Sequence, residues 1–358
     1  MRDTPDGLGP LLKAVSRSFY LTLAILPNSL RGPMGLAYLL ARAADTIADT
    51  RLIPRADRLR HLDLFRQELD ALAASRLAEI AQALIGPQRI PAERELLLRL
   101  PECFTAFRNL AGDDRVRVRR LLATLAEGMQ EDLRAFPGET EDGHVALESR
   151  ADLERYTYFA AGCVGEFWTE MAMAHRPLLR AWDATAMGRR GVRLGQGLQM
   201  TNVLRDLAQD LRIGRCYLPR QDLVALGLIP KDLLDPAAIA RIRPLLQNLL
   251  SITLEYYAEG WAYVMAIPRT EGRMRLACAW PLLIGLRTLD RIGQAGDLLD
   301  PRLTIKITRP AVYGILARSI GFVWSNAALD RYYRSLRSRI GDGPIRTPPD
   351  QGGKGVSR

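Results

Sequence analysis

Asp45 and Asp49 lie four residues apart in LLARAADTIADT, and Asp206 and Asp210 repeat that spacing in QMTNVLRDLAQD. A helix turns about 100° per residue, so positions i and i+4 share a face. Each segment, as a helix, sets two carboxylates side by side. On a solvated helix such like charges cost roughly 0.2–0.5 kcal/mol. In a cleft without a counter-charge the cost is far larger. A hard divalent cation supplies that counter-charge, and Mg2+ commonly joins one or two protein carboxylates to substrate phosphates.

The polar stripes extend beyond the aspartates. Tyr38, Arg42, Asp45 and Asp49 fall at i, i+4, i+7 and i+11, and Gln199, Asn202, Asp206 and Asp210 at i, i+3, i+7 and i+11. Their flanks are apolar: Leu39, Leu40, Ala43, Ala44 and Ile47 on one segment, Leu198, Met200, Val203 and Leu204 on the other. A helix apolar around most of its circumference is normally buried. A carboxylate stripe on such a helix needs partners, which points to a cation-filled cavity. One isolated DxxxD is ordinary on a solvated helix. Two copies on apolar helices, each with Arg42, Arg205 or Asn202 about a turn away, favour the cavity.

The elements that must position these stripes read as helices throughout. Apolar periodicity predicts helices over 11–26, 30–50, 54–83, 91–111, 113–136, 149–173, 191–211, 235–263, 271–292 and 310–337, with a kink at Pro281. A polar loop is expected over 139–144. The helix over 149–173 is rich in small residues, Ala160, Ala161, Gly162 and Gly165. Glycine inside a helix costs about 1 kcal/mol against alanine. Its return is close approach by another helix or by a ligand, and the sequence leaves both open. The fold class is all-α and single-domain: a loose N-terminus over 1–8, one domain over 9–340, and a Gly- and Pro-rich disordered tail over 341–358.

Composition bounds the function. The 358 residues are 48% hydrophobic and 25% charged, with net charge +10, and lysine stands only at 13, 231, 306 and 354. The basic balance is thus carried by arginine, the better bidentate partner for phosphate. No zinc-finger spacing and no basic block interleaved with aromatics is present, so nucleic acid ranks low. Cys103, Cys163, Cys216 and Cys278 are scattered and form no CxxC, which fits a reducing cytoplasm. His144 is expected to be solvated, and His61 and His175 have no partner at useful spacing. No run approaches the ~18 apolar residues of a membrane span. The chain is expected to be soluble or to lie on a membrane surface.

SRSFY (16–20), YLLARAADTIADT (38–50), YTYFAAGCVGE (156–166), QMTNVLRDLAQD (199–210) and RCYLP (215–219) resemble, in order and spacing, the signatures of the squalene/phytoene synthase family. The resemblance spans about residues 11–320. It implies an isoprenoid-synthase-like helical bundle around a central cavity, and prenyltransferase activity. It implies Mg2+ on Asp45, Asp49, Asn202, Asp206 and Asp210. Substrate diphosphate would meet Ser16, Arg17, Tyr38, Arg42, Gln199, Asn202 and Arg205. Tyr156 would stand near the reacting carbons, stabilising a carbocation or moving a proton. Phe19, Leu40, Val164, Phe167 and Leu198 are the candidates for setting prenyl chain length.

Branches of the family differ at the last step. LACAWPLLIGLRTL followed by LTIKITRPAVYGI resembles the squalene synthases, with Lys306 and Arg309 at cations that contact NADPH and Arg17, Arg42 and Arg205 as further cofactor contacts. The expected reaction joins two farnesyl diphosphates through presqualene diphosphate to squalene, with Mg2+ and NADPH, toward sterols or hopanoids. Phytoene synthases lose a proton instead, and other branches stop at presqualene diphosphate or form hydroxysqualene. Two departures stand out: Ala48 and Gln209 occupy positions where the family often has Glu. The C-terminal anchor of eukaryotic squalene synthases is absent, so a cytoplasmic monomer meeting the membrane at its surface is expected. The alternative from another class is a non-catalytic helical scaffold on anionic membrane.

Overall fold

The computed structural model describes residues 7–16, 19–71, 76–138 and 143–340. Most of the expected N-terminal segment, the 341–358 tail, Arg17 and most of the 139–144 loop lie outside them. Among the described residues the helices are α1 Gly9–Ser16, α2 Tyr20–Ile25, α3 Asn28–Asp49, α4 Arg55–Asp70, α5 Leu77–Ile85, α6 Pro91–Leu98, α7 Leu100–Arg108, α8 Gly112–Ala135, α9 Arg150–Thr157, α10 Cys163–His175, α11 Ala184–Arg212, α12 Arg220–Ala225, α13 Ile239–Ala266, α14 Gly272–Gln294, α15 Arg309–Phe322 and α16 Asn326–Arg337. Two-residue strands, Val145–Ala146 and Arg215–Cys216, pair in parallel, Val145 opposite Arg215. The fold is all-α, as expected.

Several helices end where local chemistry ends them. The expected 91–111 helix breaks at Arg99, because Pro101 has no N–H with which to continue the ladder. The 310–337 helix divides into α15 and α16, and Ser325 caps the second by accepting the Ala328 N–H at 3.3 Å. The 149–173 helix begins with a capping box between Ser149 and Asp152. It then passes through a π-helical turn, Tyr158–Gly162, between α9 and α10. α11 starts seven residues before the expected Gly191, capped by Asp183 on the Ala186 N–H. α14 continues through Pro281.

α11 is the central element, packed against α10, α13 and α14, while α3 packs against α8, α4 and α7. The small-residue stripe brings α10 and α11 together. A Cβ on Gly165 would lie 1.8 Å from the Gly191 carbonyl oxygen, and one on Gly195 2.1 Å from that of Ala161. Real Cβ contacts are not that short, so the backbones touch only because these residues are glycine. Among the described residues no helix is long and apolar enough to cross a membrane.

Candidate active site

A cavity of about 260 Å³ opens between α3, α8, the π turn and α11. Asp45 and Asp49 line it from α3, Asp132 from α8, Tyr156 from α9, Gln199 from α11, and Arg215 and Tyr217 from the segment after α11. It shares Asp45, Leu125, Met129 and Ala160 with a second cavity of about 270 Å³. That one shares Phe19, Val164 and Trp168 with a third, of about 180 Å³, walled by Ala161, Gly165, Leu198, Cys278 and Pro281. The run thus begins among carboxylates and ends among apolar and small side chains.

Charge is unevenly met at the polar end. Arg42 donates to Asp45 at 2.5 Å and also to Glu93. Arg205 forks onto Asp206 at 2.8 and 2.5 Å. The second aspartate of each pair faces more distant cations, and Arg215 and Arg51 act on both Asp49 and Asp210. Arg215 is itself bonded to Asp132 at 2.8 Å. Burial, and then the neighbouring Asp206, push the Asp210 carboxyl up to about 7 against the pull of Arg215. Asp49 is reached by solvent from the cavity, but the protein around it removes most of its bulk hydration, and its carboxyl is likewise raised.

A polar relay orients the tyrosine. Asn202 donates to Gln199 at 3.1 Å, and Gln199 donates to the Tyr156 hydroxyl at 2.9 Å. The Tyr156 ring stacks on Tyr217 at 4.3 Å, and Tyr217 donates to Asp132 at 2.9 Å. Burial and the Asp132 charge hold the Tyr156 phenol far above its usual range. It is a neutral dipole, not a phenolate.

Among the described residues, no three His, Cys, Asp or Glu side chains converge as a cage for a metal ion. The donor set nonetheless fits Mg2+, which takes one or two carboxylates per side and completes its shell with substrate phosphate and water. The raised Asp210 carboxyl marks negative charge that a cation would offset.

Other expected residues are distributed as follows. Tyr38 lines the second cavity and stacks on Phe19 at 5.4 Å. Phe19, Val164, Phe167 and Leu198 line the apolar cavities, whereas Leu40 is fully buried in the core and lines none of the three. Ser16 is buried and its hydroxyl turns back onto the Leu12 carbonyl at 2.5 Å, so it does not face the cavity. Lys306 and Arg309 are exposed on the segment entering α15, apart from the cavity walls. His144 is not solvated but half-buried, within 2.8 Å of the Leu211 carbonyl. His175 does have an acidic partner, Asp114 at 2.9 Å, 61 residues away in sequence. The four cysteines are buried and free, their thiols pushed up to about 12 by burial.

Spacing along the chain does not single out Asp132, Glu93, Arg51, Arg215 or Tyr217. Arg215 and Tyr217 sit inside the RCYLP motif. Asp132 lies one turn after Gly128, whose missing side chain admits Phe159, with the Phe159 Cβ 2.4 Å and its ring Cγ 2.9 Å from where a Cβ would stand.

The model of one family, squalene/phytoene synthase, matches residues 12–309. The chain belongs to the squalene/phytoene synthase family. A bifunctional lycopene cyclase/phytoene synthase of Colletotrichum graminicola is 27% identical over 306 residues, 82% of this chain and 48% of that protein. A presqualene diphosphate synthase of Zymomonas mobilis is 29% identical over 234 residues, 64% of this chain and 67% of that protein. The chain spans about half the length of the bifunctional curated relatives it matches. Among solved structures, the squalene synthase TcSQS with a bound ligand superposes with a TM-score of 0.73 at 22% identity, over 93% of this chain and 89% of that one. This likeness establishes the shared fold of the family.

Proposed function

We propose that this squalene/phytoene synthase family member condenses two farnesyl diphosphates head to head, through presqualene diphosphate, to squalene. The observation that carries the proposal is the run of cavities, acidic where the aspartate helices meet and apolar at its far end. A diphosphate with a long isoprenoid tail has the same polarity profile.

Asp45 and Asp49 on α3, and Asp206, Asp210 and Asn202 on α11, would hold Mg2+. When bound, that cation neutralises the diphosphate and improves it as a leaving group. Arg42 and Arg205 stand beside the carboxylates and would donate charge-assisted hydrogen bonds to the departing oxygens. Breaking the donor's C1–O bond leaves an allylic cation. The second substrate's double bond attacks it, and a proton leaves as the cyclopropane closes. Tyr156, oriented by Gln199, offers this cation a neutral phenol and a π face. Phe19, Val164 and Trp168 exclude water from it. Loss of the second diphosphate and rearrangement leave a cation that a hydride quenches. NADPH would supply that hydride, with Lys306 and Arg309 as its proposed phosphate contacts. The proposal has the chain acting as a cytoplasmic monomer that meets the membrane at its surface.

A second outcome has specific support: the names of the curated relatives, and the position of Lys306 and Arg309 away from the cavity walls, favour a reaction ending at presqualene diphosphate or phytoene. Product analysis with farnesyl diphosphate and Mg2+, with and without NADPH, separates the two. Squalene formed only with NADPH is the expected result. Presqualene diphosphate or hydroxysqualene regardless of NADPH, or turnover of geranylgeranyl diphosphate alone, would move the protein to the other branches.

A further inference from the structure

α15 has two faces of different fate. Inward, Ile315 and Ser319 are buried, and Leu316 packs against a small cluster of Leu276, Trp280 and Val323 that also takes in Leu21 and Ile25 of α2. Outward, Tyr313 and Ile320 are 61% and 50% exposed, and Trp324, just beyond the helix end, 62%. Positions 313, 317, 320 and 324 fall within one narrow arc of a helix. With Ala317 between them, these side chains form one apolar stripe, ending in aromatic groups at both ends.

Along the chain, the charge of this stretch has a single sign. Residues 301–329 contain no Asp or Glu, yet include Lys306, Arg309 and Arg318. Tyrosine and tryptophan carry an apolar body and a polar tip, and bases flanking an apolar helix face are attracted to anionic lipid headgroups. The position also matters. Phe19, just before α2, and Thr22, Cys278 and Pro281 of α2 and α14 line the apolar cavity from inside, and α15 lies against the outer side of that wall.

We propose that the outward face of α15 is a docking surface for an anionic lipid bilayer, with Tyr313, Ile320 and Trp324 entering the headgroup region. A second copy of the chain is the poorer occupant. A two-fold contact would set the same acid-free, basic stretch of chain against itself. This assignment names the surface for the membrane contact in the proposed function, but it stands on exposure and charge alone.

The test uses the full chain without substrate, so its failure is separate from any failure of the proposed chemistry. The protein is floated with vesicles of phosphatidylcholine alone or mixed with phosphatidylglycerol. Binding to the anionic vesicles, weakened by salt, is expected. Tyr313→Ser/Ile320→Ser/Trp324→Ser should lower the partition coefficient at least tenfold. Ile320→Glu, a single change at an exposed position, should do the same with an unchanged circular dichroism spectrum. The vesicle-induced blue shift of tryptophan emission should vanish in Trp324→Phe. No vesicle binding by the parent chain, or equal binding by Ile320→Glu, overturns the proposal. So does a concentration-dependent dimer in sedimentation equilibrium that Ile320→Glu abolishes while vesicle binding is absent.

Discussion

Asp210 makes the strongest prediction at the residue scale. Its carboxyl is raised to about 7 in the folded chain, so the fold binds this proton more tightly than the unfolded chain does. The resulting stability is fully present below the ordinary aspartate pKa and is lost as pH rises through about 7. Asp210→Asn removes that loss. Without Mg2+, the variant should match the parent near pH 4 and exceed it at pH 8 by roughly 1–3 kcal/mol in thermal melts. A variant less stable than the parent at pH 8 would contradict the assigned burial and repulsion. Arg215 is the complementary case. It faces Asp49, Asp132 and Asp210 together, and removing one partner of a buried ion pair costs about 3–5 kcal/mol. Arg215→Met should therefore melt earlier without Mg2+ and be stabilised by added Mg2+ more than the parent. An equal Mg2+ shift in both chains would remove Arg215 from that role.

At the scale of elements, the glycines of α10 and α11 divide into two kinds. Gly165→Ala drives a Cβ into the Gly191 carbonyl, and overpacking of this sort costs about 1–3 kcal/mol. Gly188, on the same α11, has nothing within 4 Å of its Cβ position. Gly188→Ala should be neutral or stabilise by roughly 0.5–1 kcal/mol, the ordinary helix preference. Chemical denaturation of the two variants checks the contrast, and equal effects would mean the helices do not meet there. The sequence made the aspartate stripes legible because a stripe is a local, 3.6-residue pattern. It did not make Asp132–Arg215 or Arg42–Glu93 legible, since those partners are 83 and 51 residues apart. Helix breaks at Arg99 and near Ser325 were hidden for a related reason: the apolar period continues across them, and a proline or a cap decides instead.

At the scale of the whole molecule, long helices converge so that one end of a run of cavities is carboxylate and the other apolar. Family membership and fold follow from residues 12–309 and the helical superposition, while the choice among squalene, phytoene and presqualene diphosphate turns on prenyl chain length and on events after the first ionisation. The central claim concerns the first ionisation, and pyrophosphate release tests it most directly. With farnesyl diphosphate and saturating Mg2+, Asp49→Asn and Asp206→Asn, one from each aspartate helix, should each lower the rate by about 100-fold or more while the fold is retained. Parent-like release from either folded variant would show that the two aspartate pairs do not act together on the diphosphate.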